Sequence, residues 1–155
     1  MEEHKLFLKQ AVENARESMK QGGFPAGAVL VLNGAVVGKG LSLGYLENDP
    51  TGHGEINAIR NTCKKLSTGD LTGATLYTSM EPCLMCFGAA NWVNVSEIVF
   101  ASKKENLPKD FYEGASSIEE IDRKNLKKVK MTFVSGFEDE IMEIVNEFMP
   151  KWKKF

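Results

Sequence analysis

The sequence contains little that would take it out of aqueous solution. Its longest apolar run, residues 26–32, is too short to span a bilayer. The start, Met1-Glu2-Glu3-His4, is acidic where a signal or transit peptide would be basic. These absences predict a cytoplasmic protein with no membrane partner. Cysteine is scarce: three are an odd number and too few for a disulfide framework, which turns attention to metal or thiol chemistry. Basic charge is not in excess either. Nineteen Lys and Arg against 21 Asp and Glu leave a net charge of −2, no global field for a polyanion, so nucleic acid is not the expected partner. Internal repeats and low-complexity segments are also missing. What remains is an ordinary globular composition, 43% hydrophobic and 26% charged, at a length that suits one domain over residues 1–155.

Periodicity divides the chain into alternating helices and strands. Leu8, Ala11, Val12, Ala15 and Met19 fall at helical spacing ahead of Gly22-Gly23, predicting a helix over residues 3–21. Valine-rich runs at 28–32 and 35–38 flank Asn33-Gly34, a dipeptide that accepts positive φ at both positions and so predicts a hairpin. Residues 40–52 have a loop composition, and Ile56, Ile59, Cys63 and Leu66 then mark a helix beginning near His53. A strand at 74–79, a helix opened by Glu81-Pro82 and a strand at 97–101 form a βαβ unit with parallel strands. Its helix N-terminus then lies at the strands' C-terminal edge, where ligands bind in such sheets. A polar excursion at 103–125, weakly helical at 118–123, precedes a strand at 131–134. The last element is an amphipathic helix through Ile141, Ile144, Val145 and Phe148, stopped at Pro150.

Two short motifs carry chemistry. His53-Gly54-Glu55 and Pro82-Cys83-Leu84-Met85-Cys86 each open a predicted helix, and Cys83 and Cys86, three apart, face the same side of a first turn. Backbone N–H groups and the macrodipole there favour thiolates, and thiolate with imidazole suits zinc. A fourth protein ligand is missing. His4 lies in the first helix as a solvated residue, and Cys63 packs as core along the helix that His53 begins. Three ligands plus water define a catalytic zinc, which lowers the water's pKa toward about 7. One zinc ion per chain follows, with Glu55 as proton carrier. Alone, the Cys-x-x-Cys would read equally as a redox pair or half a structural zinc site, and the His-x-Glu as a capping coincidence. Together they predict an enzyme, with a zinc-stabilised binding module as the non-catalytic alternative.

These residues resemble the cytidine deaminase superfamily, which carries the same His-x-Glu and Pro-Cys-x-x-Cys signature. Pro25-Ala26-Gly27-Ala28-Val29, the segment Asn48 through Glu55, the segment Tyr77 through Cys83, and Gly88-Ala89 are similar to the branch of guanine deaminases, fungal-type cytosine deaminases and tRNA adenosine deaminases. The resemblance implies a three-layer α/β/α fold with a mixed five-stranded sheet, a homodimer, zinc on His53, Cys83 and Cys86, and a hydrolytic deaminase that releases ammonia. It also implies a second acid, Glu113, assisting proton transfer, from Phe111-Tyr112-Glu113. The heterocycle would be held by Phe24, Asn48, Trp92, Trp152, Phe155 and Ser42, the last standing where relatives place an asparagine. The slightly acidic charge favours a free nucleobase: guanine first, from Phe111-Tyr112-Glu113 and Asn48-Asp49-Pro50-Thr51, then cytosine or isocytosine, from Phe24-Pro25 and Ser42. The alternative is A-to-I deamination of tRNA, supported by Lys124, Lys127, Lys128, Lys130 and the basic tail.

Overall fold

The computed structural model describes residues 2–112 and 117–152. Helix α1 (Glu2–Lys20) leads into the hairpin β1 (Gly27–Leu32) and β2 (Ala35–Leu41). A single turn, α2 (Gly44–Glu47), precedes α3 (Gly54–Leu66). The βαβ unit is β3 (Thr75–Thr78), α4 (Leu84–Trp92) and β4 (Glu97–Phe100), and α5 (Ile118–Lys124), β5 (Lys130–Phe133) and α6 (Glu138–Phe148) complete the chain. The five strands lie in the order β2-β1-β3-β4-β5. β1 is antiparallel to β2 and β3, whereas β3, β4 and β5 are parallel, giving the expected mixed sheet.

Strand alternation builds the layers. Val29, Val31, Tyr77 and Val99 face one way and bury against Phe7, Leu8 and Val12 of α1 and Ile141, Ile144 and Val145 of α6. Ala28, Leu30, Leu76 and Ile98 face the other way against Ala58 and Ile59 of α3 and Phe87 and Ala90 of α4. The hairpin turn has φ of 52° at Asn33 and 75° at Gly34, the positive pair that Asn-Gly allows.

Two departures from the sequence reading lie beside the future site. β2 extends to Leu41, beyond the predicted residue 38, because Gly40 is strand rather than loop. A Cβ on Gly40 would sit 1.9 Å from Gly54 O and 2.3 Å from Ala58 N, so this glycine lets α3 lie directly on the sheet. The stretch taken as loop also contains α2, too short to show a period. His4 is a third correction: it is half-buried, with Nδ1 3.0 Å from the Tyr77 hydroxyl, where a solvated residue was expected. Among the described residues no helix is long and apolar enough to cross a membrane.

Candidate active site

The N-termini of α3 and α4 converge at one end of the sheet. His53 is the N-cap of α3 (φ −73°, ψ 155°) and Cys83 the N-cap of α4 (φ −73°, ψ 169°). An extended residue at each cap turns its side chain toward the other helix, and Cys86, one turn on, points the same way. Cys83 Sγ lies 3.6 Å and Cys86 Sγ 3.5 Å from His53 Nδ1, and all three donor atoms fall within 4.8 Å of one another. Tetrahedral zinc with bonds of about 2.1 Å to nitrogen and about 2.3 Å to sulfur separates such donors by about 3.6 Å. The donor set fits zinc in identity and in spacing. Among the described residues no other His, Cys, Asp and Glu side chains form such a group, so three protein ligands is the count.

The site's electrostatics follow from burial and from the paired thiols. Cys83 ionises readily, its pKa lowered to about 5 by the hydrogen bond from the Cys86 thiol and by His53. Cys86, the donor in that pair and almost fully buried, is pushed well above the usual thiol value. Glu55, on the first turn of α3, is 6% exposed. Burial, reinforced by the Cys83 thiolate, raises its carboxyl above the ordinary range, with His53 opposing. Thr78 at the end of β3 donates to Met80 O at 2.7 Å, and its hydroxyl lies 3.5 Å from Glu55 Oε1.

A cavity of about 370 Å³ opens over this group, with His53, Glu55 and Cys83 in its lining. Its walls are mostly apolar: Phe24, Ala26, Pro50, Met80, Met85, Phe111 and Trp152. Phe24 anchors an aromatic cluster, 4.6 Å from Phe111 and 5.3 Å from Phe148 between centroids, and Trp152 extends it at 5.4 Å from Phe111. The Trp152 indole Nε1 is buried there with no hydrogen-bond partner among the described residues.

The predicted site residues sort clearly. His53, Cys83, Cys86 and Glu55 come together, and Phe24, Ser42 and Trp152 line the cavity. Ser42 is 3% exposed and held through its backbone, which donates to Ser18 Oγ and accepts from Phe24 N. Asn48 does not line the cavity. It is the exposed left-handed C-cap of α2 (φ 51°), and its neighbours Asp49 and Pro50 form the wall instead. Trp92 is likewise corrected: it ends α4, 85% exposed, and is no part of the lining. Helical spacing from Cys86 does not reveal that α4 carries it away from the ligands. Glu113 and Phe155 lie outside the described residues. Sequence reasoning missed Asp49, Met80, Glu81, Asp110 and Tyr112 as lining residues. They sit in irregular segments without a period, and their only signal was inclusion in, or proximity to, the quoted motifs.

The lysine cluster is also placed. β5 runs parallel to β3, whose C-terminal end leads to Cys83, so Lys130 at the start of β5 belongs to the opposite end of the sheet. Lys130 pairs with Glu97 at 2.9 Å, Lys127 donates to Asn94, and Lys128 donates to the Asp122 carbonyl.

Residues 1–102 match the cytidine and deoxycytidylate deaminase zinc-binding region. A tRNA-specific adenosine deaminase from Buchnera aphidicola subsp. Baizongia pistaciae is 38% identical over 97% of this chain and 90% of its own. A guanine deaminase from Bacillus subtilis is 39% identical, over 77% of this chain and 78% of its own. A solved structure from work on A-to-I editing by tRNA:A34 deaminases superposes with a TM-score of 0.76 at 29% identity, covering 90% of this chain and 99% of that one. Further tRNA-specific adenosine deaminases match as well. These findings overturn the expectation of a free nucleobase, guanine or cytosine, as substrate: sequence similarity runs through 97% of this chain with the Buchnera tRNA enzyme and through 77% with the Bacillus guanine enzyme. The net charge of −2 does not decide against nucleic acid, because it sums the whole surface and does not describe the neighbourhood of one cavity. With its zinc ligand set, buried glutamate and five-stranded mixed sheet, the chain belongs to the cytidine and deoxycytidylate deaminase family of zinc-dependent hydrolytic deaminases.

Proposed function

We propose that this chain deaminates adenosine to inosine in tRNA. The observation that carries this reading is the 38% identity, over 97% of this chain and 90% of the relative, to a tRNA-specific adenosine deaminase. The cavity agrees with it. An enzyme that works on a base within RNA takes the nucleotide out of the stack into a fitted pocket, and about 370 Å³ between Phe24, Met80 and Trp152 suits a planar base. An adjoining cavity of about 780 Å³ shares Glu81 and Tyr112 with the first and carries Lys103, Lys104 and Lys109 beside Glu105 and Glu119; its lysines offer cations for phosphates beside the target nucleotide.

His53, Cys83 and Cys86 would hold the zinc ion. When bound there, it supplies a Lewis acid that makes water a nucleophile near neutral pH. Glu55 takes a proton from the attacking water on a carboxylate oxygen and passes it to N1 of the adenine ring. The same carboxyl then moves the remaining water proton from the new C6 hydroxyl to the amine, the C6–N bond breaks as the C6–O bond becomes the inosine carbonyl, and nitrogen leaves as ammonia. Burial suits Glu55 to both duties, since a raised carboxyl pKa brings its acid and base forms closer in energy. Phe24 and Trp152 exclude water from the base, while the Ser42 carbonyl, accepting from Phe24 N, fixes the backbone of Phe24.

Binding tests the reading. Affinity for an anticodon stem-loop should fall at least tenfold between about 50 and about 200 mM salt, because phosphate contacts release counterions. Gel-shift titration measures it, and salt-insensitive or absent binding would count against RNA as substrate. We further propose a homodimer: Gly88 and Trp92 share one face of α4, with open space over the glycine and the indole 85% exposed. Sedimentation should give a species of twice 17.2 kDa at micromolar concentration, and a monomer alone would contradict it.

A further inference from the structure

The cavity wall formed by Asp49 and Pro50 is a strap that begins at α2 and ends at His53, the zinc ligand. One end is closed by backbone. Asp49 N donates to Gly44 O at 3.0 Å, Gly44 N to Gly52 O at 3.2 Å, and a Cβ on Gly44 would sit 2.4 Å from Asp49 O. Asn57 of α3 adds a bond from Nδ2 to Leu41 O at 2.8 Å. Within the crest Gly52 N donates to Asp49 O at 3.0 Å and His53 N to Thr51 O at 2.8 Å, and one side chain from outside the cavity, Arg60, ties Asp49 and Thr51 to α3. Arg60 Nη1 lies 3.3 Å from Asp49 Oδ2, and Nη2 lies 3.0 Å from Thr51 Oγ1. The Thr51 hydroxyl accepts from Arg60 and gives its own proton to Asp49 Oδ1 at 2.7 Å, while Thr51 N donates to the same oxygen at 2.8 Å. Each polar atom thus has a defined role, and Asp49 is held well ionised by its Thr51 bonds and by Arg60.

We infer that Arg60 is a positioning residue: its guanidinium clamps Asp49 and Thr51 and thereby fixes the wall against which the target base is seated. Stability does not explain the arrangement. The ion pair is exposed, 47% at Arg60 and 35% at Asp49, and pairs of that kind contribute little to folding. A wall that must hold a substrate within a fraction of an ångström gains from a planar two-point clamp, which lysine, as a point charge, does not reproduce. The effect on RNA rests on the function proposed above, whereas the clamping itself does not.

The experiment compares the zinc-loaded wild type with Arg60→Ala and Arg60→Lys in two ways. Hydrogen exchange of residues 49–53 reads the strap directly. It should quicken about tenfold in Arg60→Ala, with the sheet and zinc content unchanged, and recover partly in Arg60→Lys. Steady-state deamination of an anticodon stem-loop should show KM raised about fivefold in Arg60→Ala with kcat within about twofold, the loss of roughly one net hydrogen bond in binding. Unaltered exchange at 49–53 overturns the inference, and if KM nevertheless rises, Arg60 touches RNA itself. A fall in kcat at constant KM also overturns it. Should the wild type leave the RNA untouched, the tRNA reading fails while the exchange comparison still decides whether Arg60 clamps the strap.

Discussion

Glu55→Ala is expected to keep one zinc ion per chain and to lose turnover by about 10²- to 10⁴-fold, the usual contribution of a positioned acid–base group. The two effects separate because Glu55 is no ligand: the three donors are the imidazole and the two thiols, and Glu55 sits beside them on the first turn of α3. In the proposed reaction its carboxyl has two proton transfers to perform, and no other described carboxylate lining the cavity shares its depth. Asp49 and Glu81 are half-buried and Asp110 is exposed. Removing a buried carboxyl from a position where burial already disfavours its charge should cost the fold little. Metal analysis beside single-turnover kinetics checks both halves. Near-normal turnover in a zinc-replete variant would take Glu55 out of the reaction.

Cys86→Ala is expected to abolish zinc binding and activity together while leaving the chain folded. Cys86 is fully buried, and with it gone two ligands remain where a catalytic zinc needs three. The prediction about the fold follows from where the core lies. Neither the α1/α6 side of the sheet nor the α3/α4 side includes His53, Cys83 or Cys86 in its main buried cluster; the cysteines pack with Ile56 in a small satellite. Loss of metal therefore removes the binding free energy of the ion and leaves both cores intact. Circular dichroism and melting of Cys86→Ala, with chelated wild type as companion, test this. Unfolding on metal loss would instead describe a zinc staple, the non-catalytic module weighed from the sequence.

The legible parts of this protein were those with a local cause. Asn33-Gly34 shows its hairpin because the turn demands positive φ at both residues. His53 and Cys83 were readable as a converging donor pair because each begins a helix, and a helix start both orients a side chain and favours a thiolate. What sequence could not show depends on approach between distant segments. Gly40 reads as loop composition, yet it is a strand residue whose missing side chain admits the backbone of α3. Asn48 belongs to the right motif and the wrong side of the strap, and Trp92 keeps helical spacing with Cys86 but emerges into solvent. The case for an RNA substrate was hidden for a similar reason. A net charge of −2 is compatible with lysines beside the cavity and with others at the far end of the sheet, and only the fold distinguishes Lys103, Lys104 and Lys109 from Lys127, Lys128 and Lys130.

The most direct test is the product in RNA. Zinc-loaded protein incubated with tRNA, followed by nuclease digestion and mass spectrometry of the fragments, should yield inosine in place of adenosine at one position of the anticodon loop, with one ammonia released per conversion and at least about a hundredfold slower conversion by the Glu55→Ala variant. Unmodified tRNA after prolonged incubation with protein shown to carry its zinc, or ammonia released from free bases while the RNA stays intact, would contradict the account.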